Sequence, residues 1–323
     1  MAKVTEAAPH YALGVAVSQP DRQSSTYTFG PVHKGAAVDV APDAAWHIGS
    51  ISKSFTATLV MQRVDIGDLD LDTPIGTYLS DNSMDQSWQA LTLRQLLSHT
   101  AGLPANPGIN AMRIRDTENL HSVRHGVLSA MWHKPVTPGT FKYSNVGYVL
   151  AGYILETSTG KTWEEQIKDE IAVPLGLTSL GFGAPSGAAT PWGHRNFILV
   201  KRPVPADSAG SDNPAWIGPA GTIHMTLADL LAWGQAHVAA CAGDNPTLLS
   251  QDSCREMQTI VSDNYGLGWV VMDDGRVWHN GSNTMWYAVL SMDMEKQKVV
   301  AVTTNVAQMG PIDALVRDLH DIP

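Results

Sequence analysis

Strand-like segments lie at both ends of the chain and helix-like segments lie between them, and this order restricts the fold more than any other feature. Near the start, Tyr11–Ser18 is apolar and rich in β-forming residues, and Ser25–Phe29 has a similar composition. The residues Pro20-Asp21-Arg22 between them favour a turn. The pattern predicts two consecutive strands.

Four short apolar runs near the C-terminus predict further strands. They cover Tyr265–Met272, Arg276–His279, Trp286–Met292 and Val299–Asn305. The links 273–275 and 293–298 have the composition of hairpin turns. A last helix is expected over Ile312–Leu319.

The middle of the chain shows helical spacing instead. In the segment 51–66, Ile51, Phe55 and Leu59 are four residues apart, and Gly67 ends the pattern. Further helices are expected over Leu93–His99, Asn145–Thr159, Trp163–Glu170 and Thr226–Ala240. One sheet therefore collects the first and last segments, and a helical region is inserted between them.

The composition is that of a globular protein with a sizeable core. Apolar residues make up 44% and charged residues 16% of the 323 residues. This length fits one large domain or two interleaved ones. The net charge is −10 without a basic stripe, which argues against nucleic-acid binding.

The cysteines and the N-terminus bear on the cellular compartment. Cys241 and Cys254 are expected to be two free thiols, with one disulfide as the alternative. The start lacks a basic segment followed by a long apolar run, and no segment has the length of a membrane span. As given, the sequence favours a cytoplasmic protein; a removed export signal would make it periplasmic or secreted.

The tetrad Ser50-Ile-Ser-Lys53 is the first candidate for chemistry. A serine hydroxyl needs a neighbouring base to become a nucleophile. Residues three apart on a helix share one face, so Lys53 can reach the Ser50 oxygen. The helix N-terminus adds backbone N–H groups that stabilise an anionic intermediate. The alternative is an ordinary serine cap beside a solvated lysine.

Two further segments carry candidate groups. Tyr143 precedes an apolar helix, and a nearby cationic lysine is expected to lower its pKa and let it relay protons. Asn145 offers both a donor and an acceptor. In His279-Asn-Gly281-Ser282, the glycine lets a substrate approach the strand, and the histidine can hold an anion or assist proton transfer. The alternative for Tyr143 and Asn145 is a buried tyrosine followed by an asparagine helix cap. The alternative for His279–Ser282 is an ordinary turn.

The order Ser-x-x-Lys, Tyr-x-Asn and His-x-Gly resembles the serine β-lactamase and penicillin-binding-protein superfamily, in particular its class C-like branch. Segments typical of that branch are Leu96–Leu103, Pro174–Leu177, Pro219–His224, Leu227–Leu230 and Tyr265–Trp269. The resemblance spans residues 10–305. It implies an α+β fold, in which an antiparallel β-sheet is flanked by helices and an α-rich region is inserted.

The resemblance also implies the organisation and the roles of the first two motifs. Residues 1–323 are expected to form a single catalytic unit, with an α/β subdomain over 1–45 plus 215–323 and an α-rich subdomain over 46–214. Ser50 is the acylated nucleophile and Lys53 its base, while Tyr143 protonates the leaving group. Which of the two takes the first proton stays open, since they form a coupled pair.

The third motif completes the implied site. Asn145 orients the substrate, His279 and Gly281 line the strand edge, and the amides of Ser50 and Ser282 form the oxyanion hole. No metal and no cofactor are implied. Class C β-lactamases usually carry Lys-Thr-Gly where this chain has His279-Asn280-Gly281. A neutral histidine binds a carboxylate less well than a lysine does.

These features predict a serine hydrolase that acts through an acyl-enzyme at Ser50. Small carboxylic esters are the favoured substrates, because no export signal is visible and the third motif lacks lysine. A β-lactamase, or a D-amino-acid peptidase or DD-carboxypeptidase, is the alternative enzyme. A catalytically inactive binding protein is the alternative from another class. The oligomeric state does not follow from the sequence.

Overall fold

Strands from both ends of the chain pair in one antiparallel sheet, as the sequence predicts. A computed structural model describes residues 11–20, 22–197 and 200–322. The predicted turn includes Asp21, which lies outside the described residues, as do residues 1–10. The strands are β1 (Leu13–Gln19), β2 (Arg22–Phe29), β3 (Ala45–His47), β4 (Gly181–Phe182), β5 (Gly193–Phe197), β6 (Val200–Val204), β7 (Ile223–Thr226), β8 (Val270–Val271), β9 (Val277–Gly281), β10 (Tyr287–Asp293) and β11 (Lys298–Thr304).

The middle of the chain is mainly helical. Its helices and the C-terminal ones are α1 (Ser52–Asp65), α2 (Gln86–Gln89), α3 (Leu93–Leu97), α4 (Leu120–Ser129), α5 (Asn145–Thr159), α6 (Trp163–Gln166), α7 (Val173–Leu175), α8 (Gly218–Gly221), α9 (Leu227–Ala242), α10 (Gln251–Met257) and α11 (Met309–Asp321). A π-helical segment, Ile167–Ala172, joins α6 to α7. No described helix is long and apolar enough to cross a membrane.

The main sheet has the strand order β2-β1-β11-β10-β9-β8. Every residue of β10 and β11 is buried, because α9 packs on one face of the sheet and α11 packs on the other. Alternate side chains therefore enter two separate cores. Val300 and Val302 meet Ile312 of α11, whereas Val299 and Ala301 belong to the larger core with α9. Each fully buried side chain of this kind contributes about 1.5–3 kcal/mol.

Helix α1 is the central helix of the larger core. Its first ten residues, Ser52–Met61, are all buried, including the polar ones. A helix that is buried all round belongs to the interior of a protein, and it therefore needs partners for its polar groups. Thr56 donates to the Pro219 carbonyl and Ser54 donates to that of Ile51, so α1 is fixed rigidly at its N-terminal end.

Helix α5 has the bounds that the sequence predicts. Ser144 caps it by accepting a hydrogen bond from the Gly147 amide, and Gly160 ends it with a φ of 72°. Glycine favours this left-handed conformation because it has no Cβ. The cap places Tyr143 and Asn145 on either side of the helix start.

Two predicted elements differ from the structure. Tyr265–Met272 was expected to be one strand, but only Val270–Val271 is, because Gly268 turns with φ 81° against α1. A Cβ at Gly268 would lie 2.8 Å from that of Ala57. The helix expected over Trp163–Glu170 becomes π-helical after Gln166. The segment Gly193–Phe197, for which no element was predicted, forms β5.

The expectation of two free thiols is wrong, because Cys241 and Cys254 form a disulfide. Helix α9 ends at Gly243, whose φ is 92°, and the chain returns so that α10 packs against α9. The two Cα atoms then lie 5.1 Å apart. A separation of 13 residues does not reveal this pairing, since the pairing depends on where the chain reverses.

The predicted division into an α/β subdomain and an α-rich subdomain remains a prediction. The segment 46–214 is not wholly helical, because it also carries β4 and the two-stranded sheet β5-β6. The short strand β3, which ends just before the Ser50 turn, pairs with β7 in a three-stranded sheet rather than with the main sheet.

Replacing Cys241 and Cys254 together by alanine should lower the free energy of unfolding by about 2–4 kcal/mol, since the crosslink restricts the unfolded chain. Urea unfolding of the variant, beside wild type with and without a reducing agent, measures this loss. Reduced wild type should unfold at a urea concentration close to that of the variant. Equal midpoints for all three samples would show that the disulfide does not stabilise the fold.

Candidate active site

Ser50 lies on a short 3-10 turn, Gly49–Ile51, directly before α1. Gly49 has a φ of 52°, a conformation that glycine adopts without strain. The Gly49 carbonyl accepts a hydrogen bond from Ser52 Oγ at 2.7 Å, which in turn accepts from the Ile223 amide at 3.1 Å. The turn is therefore tied to both α1 and β7, and it presents Ser50 at the helix N-terminus.

Lys53 is fully buried and reaches Ser50 as the sequence predicts. Its Nζ lies 3.1 Å from Ser50 Oγ, 2.7 Å from Asn145 Oδ1 and 2.7 Å from the carbonyl oxygen of Ala220. Burial lowers the pKa of Lys53 well below its ordinary value. The neutral amine is therefore favoured relative to a solvated lysine.

This contact pattern suits a general base. A neutral amine has two N–H donors and one lone pair. When Asn145 Oδ1 and the Ala220 carbonyl take the two donors, the lone pair is left to accept the proton of the Ser50 hydroxyl. The arrangement can thus activate Ser50 as a nucleophile.

Tyr143 corrects one expectation. A cationic lysine was expected to lower the pKa of Tyr143, but burial raises that pKa, and the hydrogen bond with Ser50 only partly opposes this. The Lys53 Nζ does lie over the Tyr143 ring, 4.8 Å from its centre. Because burial also drives Lys53 towards its neutral form, it adds little charge to stabilise a phenolate. Tyr143 is therefore a protonated donor beside Ser50.

The segment 142–145 is held by the loop 99–105. His99 has a φ of 63°, accepts from the Ser144 amide at Nδ1, and accepts from the Lys142 amide at its carbonyl. Its ring centre lies 4.2 Å from that of Tyr143. Burial lowers the pKa of His99, so the ring is neutral and its Nδ1 can accept from the Ser144 amide.

Asn145 lies at the first turn of α5 and bridges two elements. Its side-chain oxygen accepts from Lys53, while its Nδ2 donates to Asn106 Oδ1 at 2.8 Å. Both functions of the amide are therefore in use. Asn145 fixes the orientation of the Lys53 amine, in addition to the substrate-orienting role that the sequence predicts.

The end of β9 lies against the Ser50 turn, and neither segment has room for a side chain at the point of contact. A Cβ at Gly281 would lie 1.9 Å from the Ile48 carbonyl oxygen and 2.6 Å from the Ser50 amide nitrogen. A Cβ at Gly49 would lie 2.3 Å from the Ser282 amide nitrogen. The two predicted oxyanion donors, Ser50 and Ser282, are thus brought to one place by two glycines.

His279 differs from the role as an anion anchor. Its ring is 2% exposed, its Nε2 lies 2.9 Å from the Tyr265 hydroxyl, and its Nδ1 lies 2.5 Å from the Asn280 carbonyl oxygen. Burial lowers the pKa of His279 to about 3. A neutral ring with both nitrogens in hydrogen bonds offers no charge to a substrate anion.

Two functional contacts escape sequence reasoning. The Ala220 carbonyl holds Lys53, and a backbone acceptor has no signature in side-chain patterns, although Pro219–His224 was recognised as a family segment. Asn106 holds Asn145 from a loop without regular structure. Within the described residues, no group of three His, Cys, Asp or Glu side chains could hold a metal ion.

The antiparallel sheet with its inserted helices and the Ser50–Lys53–Tyr143 cluster define a serine hydrolase of the β-lactamase-like superfamily. The model of the Beta-lactamase family matches residues 3–321, and the chain belongs to this family. Penicillin-binding protein 4 of Amycolatopsis lactamdurans is 29% identical in an alignment of 299 residues, which covers 85% of this chain and 76% of the relative.

Solved structures agree with this assignment. SurE with D-Leu superposes with a TM-score of 0.77 at 27% identity, over 99% of this chain and 73% of SurE. A class C beta-lactamase superposes with a TM-score of 0.79 at 19% identity, over 99% of this chain and 93% of its own. The second likeness shows the fold alone.

Lys53→Arg should lower kcat/KM by about 10²- to 10⁴-fold, because arginine stays charged and cannot accept the serine proton. In wild type, kcat/KM should fall with decreasing pH along a limb well below the ordinary lysine pKa, since only the neutral amine is active. Lys161→Arg, at an exposed site, is the matched control. An arginine variant with wild-type kcat/KM would contradict the base role.

Tyr143→Phe should impair substrates with poor leaving groups more than activated ones. A protonated phenol donates to an alkoxide or amine as it leaves, contributing about 10²- to 10⁴-fold, whereas p-nitrophenolate leaves without a proton. The measurement is the slope of kcat/KM against leaving-group pKa. Tyr27→Phe, whose residue is 51% exposed, is the control. Parallel slopes for variant and wild type would exclude this donor role.

Proposed function

We propose that the protein hydrolyses small, uncharged carboxylic esters through an acyl-enzyme at Ser50. The observation that carries the proposal is the 3.1 Å contact between Ser50 Oγ and a buried lysine amine whose pKa is lowered. The amides of Ser50 and Ser282 supply the oxyanion hole, and Tyr143 returns a proton to the leaving group.

The third motif supports uncharged substrates. β-Lactams and peptides with a free C-terminus carry a carboxylate near the scissile bond, which a cation stabilises. His279 is neutral and engaged with Tyr265 and Asn280, so it provides no such cation. A simple ester does not need this pairing, and it therefore loses nothing when the charge is missing.

Acyl donors with a D-amino acid are a second candidate. SurE, which superposes over nearly the whole chain at 27% identity, has been solved with D-Leu. A protonated Tyr143 also suits amides, because an amine leaves only after it takes up a proton. Amides or esters of D-leucine are therefore the next substrates to compare with simple esters.

The cellular location also stays a prediction. The sequence as given favours the cytoplasm. The disulfide between Cys241 and Cys254 favours an oxidising compartment instead, because cytosolic thiols are kept reduced.

A substrate panel on purified protein tests the proposal. Wild type should hydrolyse p-nitrophenyl acetate, and Ser50→Ala should abolish hydrolysis because the nucleophile is gone. Ser122→Ala, on the exposed side of α4, should match wild type. The kcat/KM for nitrocefin should be lower than that for the ester by about 10- to 100-fold, the equivalent of one missing charge-assisted hydrogen bond.

The outcomes separate the candidates. Faster turnover of nitrocefin than of the ester would overturn the preference for uncharged substrates. Faster turnover of D-leucine p-nitroanilide than of both, with the L-isomer inert, would favour the second candidate. A wild type that neither hydrolyses any member of the panel nor reacts with a fluorophosphonate at Ser50 would overturn the hydrolase itself.

A further inference from the structure

A buried carboxylate stands behind the oxyanion hole without touching Ser50. The side chain of Asp212 is only 7% exposed, although its loop lies between two surface strands and α8. A buried carboxylate is costly unless it is paired, so its partners indicate what it is for. Its Oδ1 accepts from the neighbouring Asn213 amide at 2.6 Å, and its two side-chain partners, His47 and Asn283, belong to the segments that carry the oxyanion amides.

Two chains of contacts, called arms below, lead from Asp212 to the two oxyanion amides. The first arm runs through His47 to the Ser50 turn. His47 Nε2 lies 2.9 Å from Asp212 Oδ1, and its Nδ1 accepts from the Gly49 amide at 3.0 Å. A ring nitrogen that accepts a backbone N–H carries no proton, so the ring proton of His47 belongs on Nε2, the nitrogen beside the carboxylate. Asp212 therefore selects the tautomer of His47 that can hold Gly49.

The second arm runs through Asn283 to the end of β9. Asn283 Nδ2 donates to the same Asp212 oxygen at 2.7 Å. The other end of that amide, Oδ1, accepts from the amides of Met285 and Trp286 at 3.2 and 3.3 Å. This closes the turn that follows Ser282.

The two arms meet again on the other side of the site. The His47 ring stacks on Trp286 with 5.6 Å between ring centres. Gly49 and Gly281 lie in backbone contact without space for a side chain. A small movement of either loop would thus change the position of both amides. One carboxylate oxygen that binds both loops opposes such a movement.

We propose that Asp212 is a positioning residue of the oxyanion hole, which holds the Ser50 amide through His47 and the Ser282 amide through Asn283. The proposal rests on the proposed function, in which Ser50 is the nucleophile. Asp212 makes no hydrogen bond to Ser50, and it acts through these two side chains. Its contribution is to keep both N–H groups aimed at the oxygen that becomes negative in the transition state.

Asp212→Ala removes the shared acceptor and frees both loops. The rate of acyl transfer, divided by the concentration of enzyme with a reactive Ser50, should fall by about 10- to 100-fold, as expected for misplaced oxyanion donors. KM for the ester should change little, because a ground-state carbonyl gains little from the hole. Asp212→Asn retains an acceptor oxygen at the same place and should lose only about 3- to 10-fold, since it lacks the charge.

The experiment measures the second-order rate of Ser50 phosphonylation by a fluorophosphonate, followed by intact mass, together with ester turnover. The phosphoryl oxygen of the probe occupies the oxyanion hole, so the rate reports on the two amides and not on substrate choice. Asp207→Ala, in the same loop but exposed, is the matched control and should react like wild type. Thermal unfolding of each variant is recorded in parallel.

A purely structural role would lower the labelled fraction and the melting temperature, with a normal rate for the molecules that remain folded. The positioning role requires full labelling at a reduced rate. Asp212→Ala that is folded and labelled at the wild-type rate overturns the proposal. Should this variant not fold, Asn283→Ala, which cuts one arm, takes its place, and a wild-type rate there overturns the proposal equally.

The substrate and the positioning role fail separately. If wild type reacts rapidly with the fluorophosphonate but does not hydrolyse esters, the ester proposal is wrong. Slow labelling of Asp212→Ala would in that case still support the positioning role. Wild type that reacts with neither the ester nor the probe would overturn both.

Two arms that act through one carboxylate also predict that adding His47→Ala to Asp212→Ala slows labelling by less than the product of the two single effects.

Discussion

The desolvation of Lys53 is the condition on which the whole site depends. A lysine in water is charged and cannot accept a proton, and only the burial of its amine favours the neutral form. That burial requires α1 at the centre of the larger core, with the carbonyl of Ala220 on one side and the amide of Asn145 on the other. Folding and activation of the nucleophile are therefore the same event.

The same burial has the opposite use in Tyr143. Removing both groups from water favours a neutral amine and a neutral phenol, so one environment provides an acceptor and a donor beside one hydroxyl. A basic amine and an acidic phenol can therefore have complementary roles in one shared environment. His279 belongs to this pattern too, because its burial favours the neutral ring.

Much of this arrangement can be predicted from the sequence, because it depends on local signals. Helix α5 was predicted to the residue, since Ser144 caps it and Gly160 ends it, and the pair Ser50 and Lys53 follows from helical spacing. Contacts between remote segments left no such trace. The Ala220 carbonyl, the Cys241–Cys254 pairing and the carboxylate of Asp212 depend on how loops meet in space. The pKa of Tyr143 was misjudged because burial cannot be read from neighbours in the chain.

The pairing of β1 with β11 has a consequence for how the chain is made. Leu13 lies opposite Thr304, so β1 finds its partner β11 only after the whole chain between them has been synthesised. Until then the apolar face of β1 has only the N-terminal hairpin with β2 to cover it. Nascent chains should therefore expose apolar residues of β1 until β11 has been synthesised, and they are open to aggregation during that time.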